Sequence, residues 1–152
     1  MNILILEDRA STLRQMKEIL EEDLQKRSPG NKPDFSCCYS IYKANEVLKT
    51  KEIHIVITDL AMSTEGLPPS EIKKTMFGVI TGWIWLENSV FPLQKSIQII
   101  IFSEFINDWR DYLRSQNQDE DAIKEKYNIT AVPKISPYNA NAYNDLLRAI
   151  EI

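Results

Sequence analysis

The chain has 152 residues, enough for one domain with a substantial core and too few for a second comparable one. Its 18 basic and 22 acidic residues leave a formal charge of −4 and a sequence pI near 5.1, so no general electrostatic attraction to nucleic acid is expected. No apolar run approaches the roughly 18 residues of a membrane span, and the chain opens on a strand-like segment rather than an export signal; a cytoplasmic protein with no membrane insertion is the expectation.

In chain order, Ile3-Leu4-Ile5-Leu6 is apolar without alternation, the pattern of a strand buried on both faces, and it runs into Glu7-Asp8. Leu13, Met16, Leu20 and Leu24 then recur at helical spacing over 11–26, and Ser28-Pro29-Gly30-Asn31 stops that helix. Residues 35–39 form a more mixed strand, suited to a sheet edge. Its adjacent Cys37 and Cys38 face opposite ways, which suits reduced packing residues rather than a disulfide or a metal site.

A short helix near 43–49 precedes the strand at 53–58, whose apolar Ile55-Val56-Ile57 leads to Asp59. A helix near 83–91 and the strand Ile99-Ile100-Ile101-Phe102 follow, the latter ending on Ser103. Trp109, Tyr112 and Leu113 mark the next helix, and Ala122, Ile123 and Tyr127 a second or a continuation. The strand at 129–132 leads to Lys134, and Tyr143, Leu146, Leu147 and Ile150 stripe the last helix. Five strands alternating with about five helices predict an α/β fold: a doubly wound, five-stranded parallel sheet covered on both faces. The runs at 3–6, 55–57 and 99–102 are its central strands.

Ligands of such sheets bind outside the carboxyl ends of the strands. Glu7-Asp8, Asp59, Ser103 and Lys134 all fall at that edge. His54, the only histidine, lies at the opposite end of its strand and is read as structural, so no Ser-His-Asp or Cys-His set is built around it. Trp83, Trp85, Trp109 and Tyr112 are read as packing residues. An acid or serine after a strand is common as a cap or turn residue; the signal here is four of them in this order.

That ordered set resembles the receiver (response-regulator) domain of two-component signalling, over nearly the whole chain from Glu7-Asp8 to the closing helix. The resemblance implies a single flavodoxin-like domain over 1–152 in which Asp59 accepts a phosphoryl group from a histidine kinase or phosphotransfer protein and signals through protein contacts. A carboxylate can attack phosphorus and form an acyl phosphate. The same resemblance implies Mg2+ or Mn2+, bound directly by Asp8 and Asp59, by the Ala61 backbone carbonyl, and through a water by Glu7. Lys134 would set its charge against the phosphoryl oxygens, and Ser103 would donate a hydrogen bond to one of them. Catalysis would be limited to the domain's own phosphorylation and dephosphorylation. The downstream partner and any homodimer stay open.

Several positions depart from the family pattern. Ser63 stands where a proline is expected, and 63–81 reads as an insertion before Gly82 resumes the register. Its Leu67, Ile72, Met76, Phe77, Val79 and Ile80 predict that it folds against the third helix or a partner and partly covers the Asp59 edge. The region 105–128 is extended, with Asp119-Glu120-Asp121 placed at a positive helix N-terminus. Ile135 replaces the usual proline, leaving Pro137 to shape the loop, and Val132 takes the place of the switch aromatic. Two alternatives therefore stand: a phosphorylation-independent pseudo-receiver interaction module and, more distantly, a small Mg-dependent hydrolase. The latter lacks a second catalytic acid pair and a phosphate-cradling glycine loop.

Overall fold

In the computed structural model, which describes residues 1–135 and 140–151, the apolar runs form a five-stranded, all-parallel sheet. Strands β1 (Asn2–Leu6), β2 (Asp34–Cys38), β3 (Ile55–Thr58), β4 (Gln98–Ser103) and β5 (Ile129–Pro133) lie in the order β2-β1-β3-β4-β5. This is the flavodoxin-like doubly wound order. Leu6 sits opposite Cys38 and Thr58, Ile57 opposite Ile100, and Ser103 opposite Pro133. Residues of β3 and β4 are all buried, whereas β2 and β5 mix buried with exposed positions, as edge strands do.

Parallel strands need crossovers, and the helices supply them. They are α1 (Ala10–Arg27), α2 (Ile41–Thr50), α3 (Pro69–Ile72), α4 (Thr81–Trp85), α5 (Ile106–Ser115), α6 (Glu120–Tyr127) and α7 (Ala140–Ala149). The two-residue period of the strands sorts their side chains into two cores. Ile3, Ile5, Ile57 and Phe102 pack with Leu20 of α1 and Leu146 of α7. Leu4, Leu6, Val56 and Ile101 face α2, α4 and α5, where Trp83 lies 5.3 Å from Trp109 and 5.4 Å from Phe91 between ring centroids. Trp85 Nε1 donates to Asn45 Oδ1 at 2.9 Å, tying α4 to α2.

The described residues hold seven α-helices: beyond the five that alternate with the strands, 63–81 contributes the short α3, and of the two expectations for Ala122, Ile123 and Tyr127 the second helix, α6, is the one found. One expectation needs correction. The helix expected over 83–91 is α4 followed by a π-helical turn, Leu86–Val90, and a 3-10 turn, Phe91–Leu93. Pro92 has no N–H to continue an α-helical ladder, so the chain leaves this segment through the tighter turn.

The smaller signals behave as their chemistry dictates. Asp119 caps α6 by accepting from Ala122 N at 2.8 Å, and His54 Nδ1 accepts from Asn2 N at 3.0 Å at the far end of the sheet. Pro137 lies outside the described residues.

Candidate functional site

The parallel ladder carries one residue past each strand and so sets the side chains of the carboxyl edge. Asp59 N donates to Leu6 O at 3.1 Å, Glu7 N to Cys38 O at 3.0 Å and Lys134 N to Ser103 O at 2.9 Å. Glu7 and Asp59 thereby emerge from neighbouring strands, and Lys134 reaches across from β5. Its Nζ lies 2.7 Å from Glu7 Oε2 and 2.8 Å from Asp59 Oδ2. All three residues are nearly enclosed, with exposures of 1% for Glu7, 6% for Asp59 and 5% for Lys134.

The remaining carboxylate oxygens also have donors. Asp59 Oδ1 accepts from Leu60 N at 2.7 Å. Glu7 Oε1 accepts from the Arg9 backbone N–H at 3.0 Å and from Arg9 Nε at 3.3 Å, while an Arg9 guanidinium nitrogen stands 3.7 Å from Asp59 Oδ2. The Lys134 ammonium also lies 5.2 Å from the centroid of the Phe102 ring, within cation–π range. Burial pushes the Glu7 carboxyl above its ordinary value, against the downward pull of Lys134. Burial works to lower the Lys134 ammonium, but the charges of Asp59 and Glu7 outweigh it and hold Lys134 above its ordinary value.

A cavity of about 280 Å³ opens on this edge, lined by Asp8, Arg9, Asp59, Ala61, Glu104 and Phe105. It brings together Asp8, Asp59 and Ala61. Asp8 is exposed, and its Oδ2 accepts from Ser63 N at 3.3 Å. Glu7 does not line the cavity, and its carboxylate is engaged by Lys134 and Arg9. Ser103 is at the expected strand end but fully buried, with its Oγ accepting from Phe105 N at 3.2 Å.

Mg2+ needs only one or two carboxylates beside phosphate oxygens and waters, so the Asp8, Asp59 and Ala61 oxygens are a suitable donor set. Among the described residues no three His, Cys, Asp or Glu side chains form a ready-made metal cluster. Three carboxylate residues, Asp8, Asp59 and Glu104, line the cavity together with Ala61.

Gly82 explains how α4 starts beside Asp59. A Cβ there would fall 1.9 Å from the Asp59 carbonyl oxygen, so only glycine permits this approach, and its N–H donates to Leu60 O at 2.9 Å. The segment 63–81 folds back against the same turn: Met62 N donates to Gly78 O at 3.2 Å and Ile80 N to Thr75 O at 3.0 Å. Leu67, Thr75 and Ile80 are buried, yet Phe77 is fully exposed and no residue of 63–81 lines the Asp59 cavity. Ser63 and Glu65 instead wall a notch of about 80 Å³ beside Asp8, together with Tyr39 and Tyr42. The segment thus packs against α4 through Leu67 and Ile80 and reaches the edge at Asp8 through Ser63 N, but it does not line the cavity at Asp59.

The sequence reasoning missed Arg9, Glu104 and Phe105. Arg9 carried a signal in its place directly after the acid pair; Glu104 and Phe105 become recognisable only once β4 is seen to end at the cavity.

The sequence matches no family model and no curated protein. Among solved structures, the receiver domain of a Francisella response regulator superposes with a TM-score of 0.53 at 15% sequence identity, over 97% of this chain and 92% of that one. This chain has the receiver fold. The signal receiver domain of an HD domain-containing protein from Pseudomonas fluorescens Pf-5 is similar at a TM-score of 0.47 and 16% identity, over 97% of this chain and 89% of that one. In this receiver-fold chain, the acids and Lys134 meet at the carboxyl edge of the sheet, where doubly wound folds bind their ligands.

Proposed function

We propose that the domain is a phosphorelay receiver: Asp59 accepts a phosphoryl group from a histidine kinase or phosphotransfer protein, and the domain signals through protein contacts. The carrying observation is an acceptor carboxylate ion-paired to a buried lysine at 2.8 Å while still forming the wall of an open cavity. In the transfer, an Asp59 carboxylate oxygen attacks phosphorus, and the bond to the donor breaks with its electron pair leaving on the donor. Lys134 offsets the charge brought by the phosphoryl oxygens, in a site dry enough for that charge to count. Mg2+ or Mn2+ held by Asp8, Asp59 and the Ala61 carbonyl, with Glu7 acting through a water, would supply further positive charge.

The Ser103 hydroxyl gives this reading a route outward. Its Oγ accepts from the Phe105 N–H and keeps its own proton to donate, so a hydroxyl drawn toward a phosphoryl oxygen would pull on Phe105, the residue before α5. Rearrangement of that turn would carry a local charge event to the α5 surface without the aromatic that Val132 replaces. Among the described residues no helix is long and apolar enough to cross a membrane.

A pseudo-receiver module is favoured by a different observation, namely that Asp59 and Glu7 are already charge-matched by Lys134 and Arg9. Intact mass after incubation with Mg2+ and acetyl phosphate separates the two readings. Wild type should gain one acid-stable, base-labile phosphoryl group, and Asp59→Asn none. If wild type gains none, from acetyl phosphate or from a purified kinase, the pseudo-receiver reading replaces the first.

A further inference from the structure

The notch of about 80 Å³ walled by Tyr39, Tyr42, Ser63 and Glu65 shares Asp8 with the Asp59 cavity but is a separate space. Its walls are held from both sides. Gly66 takes a left-handed φ of 98°, and a Cβ there would fall 3.0 Å from Ile41 Cβ, so the turn that carries Ser63 and Glu65 is seated directly on the first residue of α2. Ser63 N donates to Asp8 Oδ2 at 3.3 Å and Glu65 N to Ser63 Oγ at 3.2 Å, while Ser40 Oγ caps α2 by accepting from Lys43 N at 3.2 Å. The notch is therefore built by the segment 63–81 closing onto the β2–α2 connection.

Charge and aromatic surface together define what fits it. Asp8 and Glu65 are exposed, and among the described residues no lysine, arginine or histidine lines the notch, which leaves it two negative charges. The cations next in the chain are engaged elsewhere: Lys43 pairs with Glu46 at 3.3 Å, and Arg9 lies against Glu7 and Asp59. Tyr39 and Tyr42 are 67% and 62% exposed, so two large rings stay bare beside the two carboxylates. A guanidinium is the cation matched to both, because it stacks on an aromatic face while its N–H fork meets carboxylate oxygens. We propose that this notch is a docking site for an arginine side chain of a partner protein. The space takes the head of such a side chain and little more, so the remainder of the binder lies on the surrounding surface, where a protein gains contacts that a small free cation does not. Because Asp8 lines both spaces, the docked partner stands beside Asp59. The inference concerns recognition and goes beyond the phosphorelay reading, since it holds whether or not Asp59 is phosphorylated.

The test is an NMR titration of the isotope-labelled full chain with a short capped peptide carrying one arginine between glycines, with its neutral citrulline counterpart, and with guanidinium chloride as the free cation. The arginine peptide should give saturable shifts at the backbone amides of Tyr39, Tyr42, Ser63 and Glu65, the citrulline peptide none, and guanidinium chloride weaker binding at the same amides. Tyr42→Phe, which keeps the ring, should bind as wild type does, Tyr42→Ala about two- to fivefold more weakly, and Glu65→Lys not at all. Both positions are exposed, and unchanged signals from the two cores verify that each variant is folded. An equal response to the citrulline peptide, no saturable shift at these amides, or undiminished binding in Tyr42→Ala and Glu65→Lys overturns the inference. Guanidinium chloride binding as tightly as the peptide would make the notch a site for a free cation and overturn docking by a protein. Saturable peptide binding in a chain that gains no phosphate at Asp59 would leave the docking site standing and remove the phosphorelay reading; phosphate gain without peptide binding would do the reverse.

Discussion

At the scale of single residues, Glu7 shows how a buried acid can be costly to keep ionised. Its carboxyl lies above the ordinary value of 4.5 because burial outweighs the attraction of Lys134. A group with a raised folded pKa contributes stability that is present below the unfolded value and is lost as pH climbs through the folded one. At neutral pH, then, ionised Glu7 works against the fold. Glu7→Gln should leave the unfolding free energy at pH 7 equal to or above wild type, measured by urea denaturation. A clear loss in that variant would mean that the Lys134 contact outweighs burial after all.

Among the elements, the segment 63–81 is the least economical. Met76 and Phe77 both adopt left-handed backbone, with φ of 53° and 57°, and Gly78 follows at 90°. Left-handed backbone costs an ordinary side chain roughly 1–2 kcal/mol, and the exposed Phe77 ring returns no packing to offset it. Phe77→Gly should therefore be neutral or stabilising, by up to about 1 kcal/mol after the extra chain entropy of glycine is subtracted. A lower Tm for that variant would show that the ring is covered in the folded protein. The β4–β5 crossover is better matched to its chain, with Asp119 at the N-cap of α6 and Asn128 taking the left-handed position that ends it.

For the whole molecule, Lys134 is a clasp. One ammonium joins the carboxyl ends of β1, β3 and β5, contacting residues 127 and 75 positions away in the chain. Removing one partner of a buried ion pair strands the charge it leaves, at a typical cost of about 3–5 kcal/mol. Lys134→Met should lose about that much stability at pH 7 by urea denaturation, and less in acid, where the stranded carboxylates protonate. In wild type the sign is opposite to the usual carboxylate case. Lys134 is raised above 10.5, so its contribution is complete below that value and fades as pH rises through the higher folded one. A Lys134→Met protein as stable as wild type would remove the clasp from the account.

What the sequence determined by itself was the layering. Apolar runs at 3–6, 55–57 and 99–102 are buried on both faces wherever a parallel sheet places them, so burial periodicity was enough to identify central strands and the edge carrying Glu7, Asp8, Asp59, Ser103 and Lys134. Periodicity is local, however, and says nothing of what a polar side chain meets across the fold. That Ser103 holds Phe105, that Arg9 bridges Glu7 and Asp59, and that Gly82 allows α4 to touch the Asp59 carbonyl follow from strand register and close packing. The fate of 63–81 was likewise decided in three dimensions. Its apolar residues promised burial, and Leu67 and Ile80 are buried against α4, but that Phe77 stays exposed and that Met62 N pairs with Gly78 O are visible only in the folded chain.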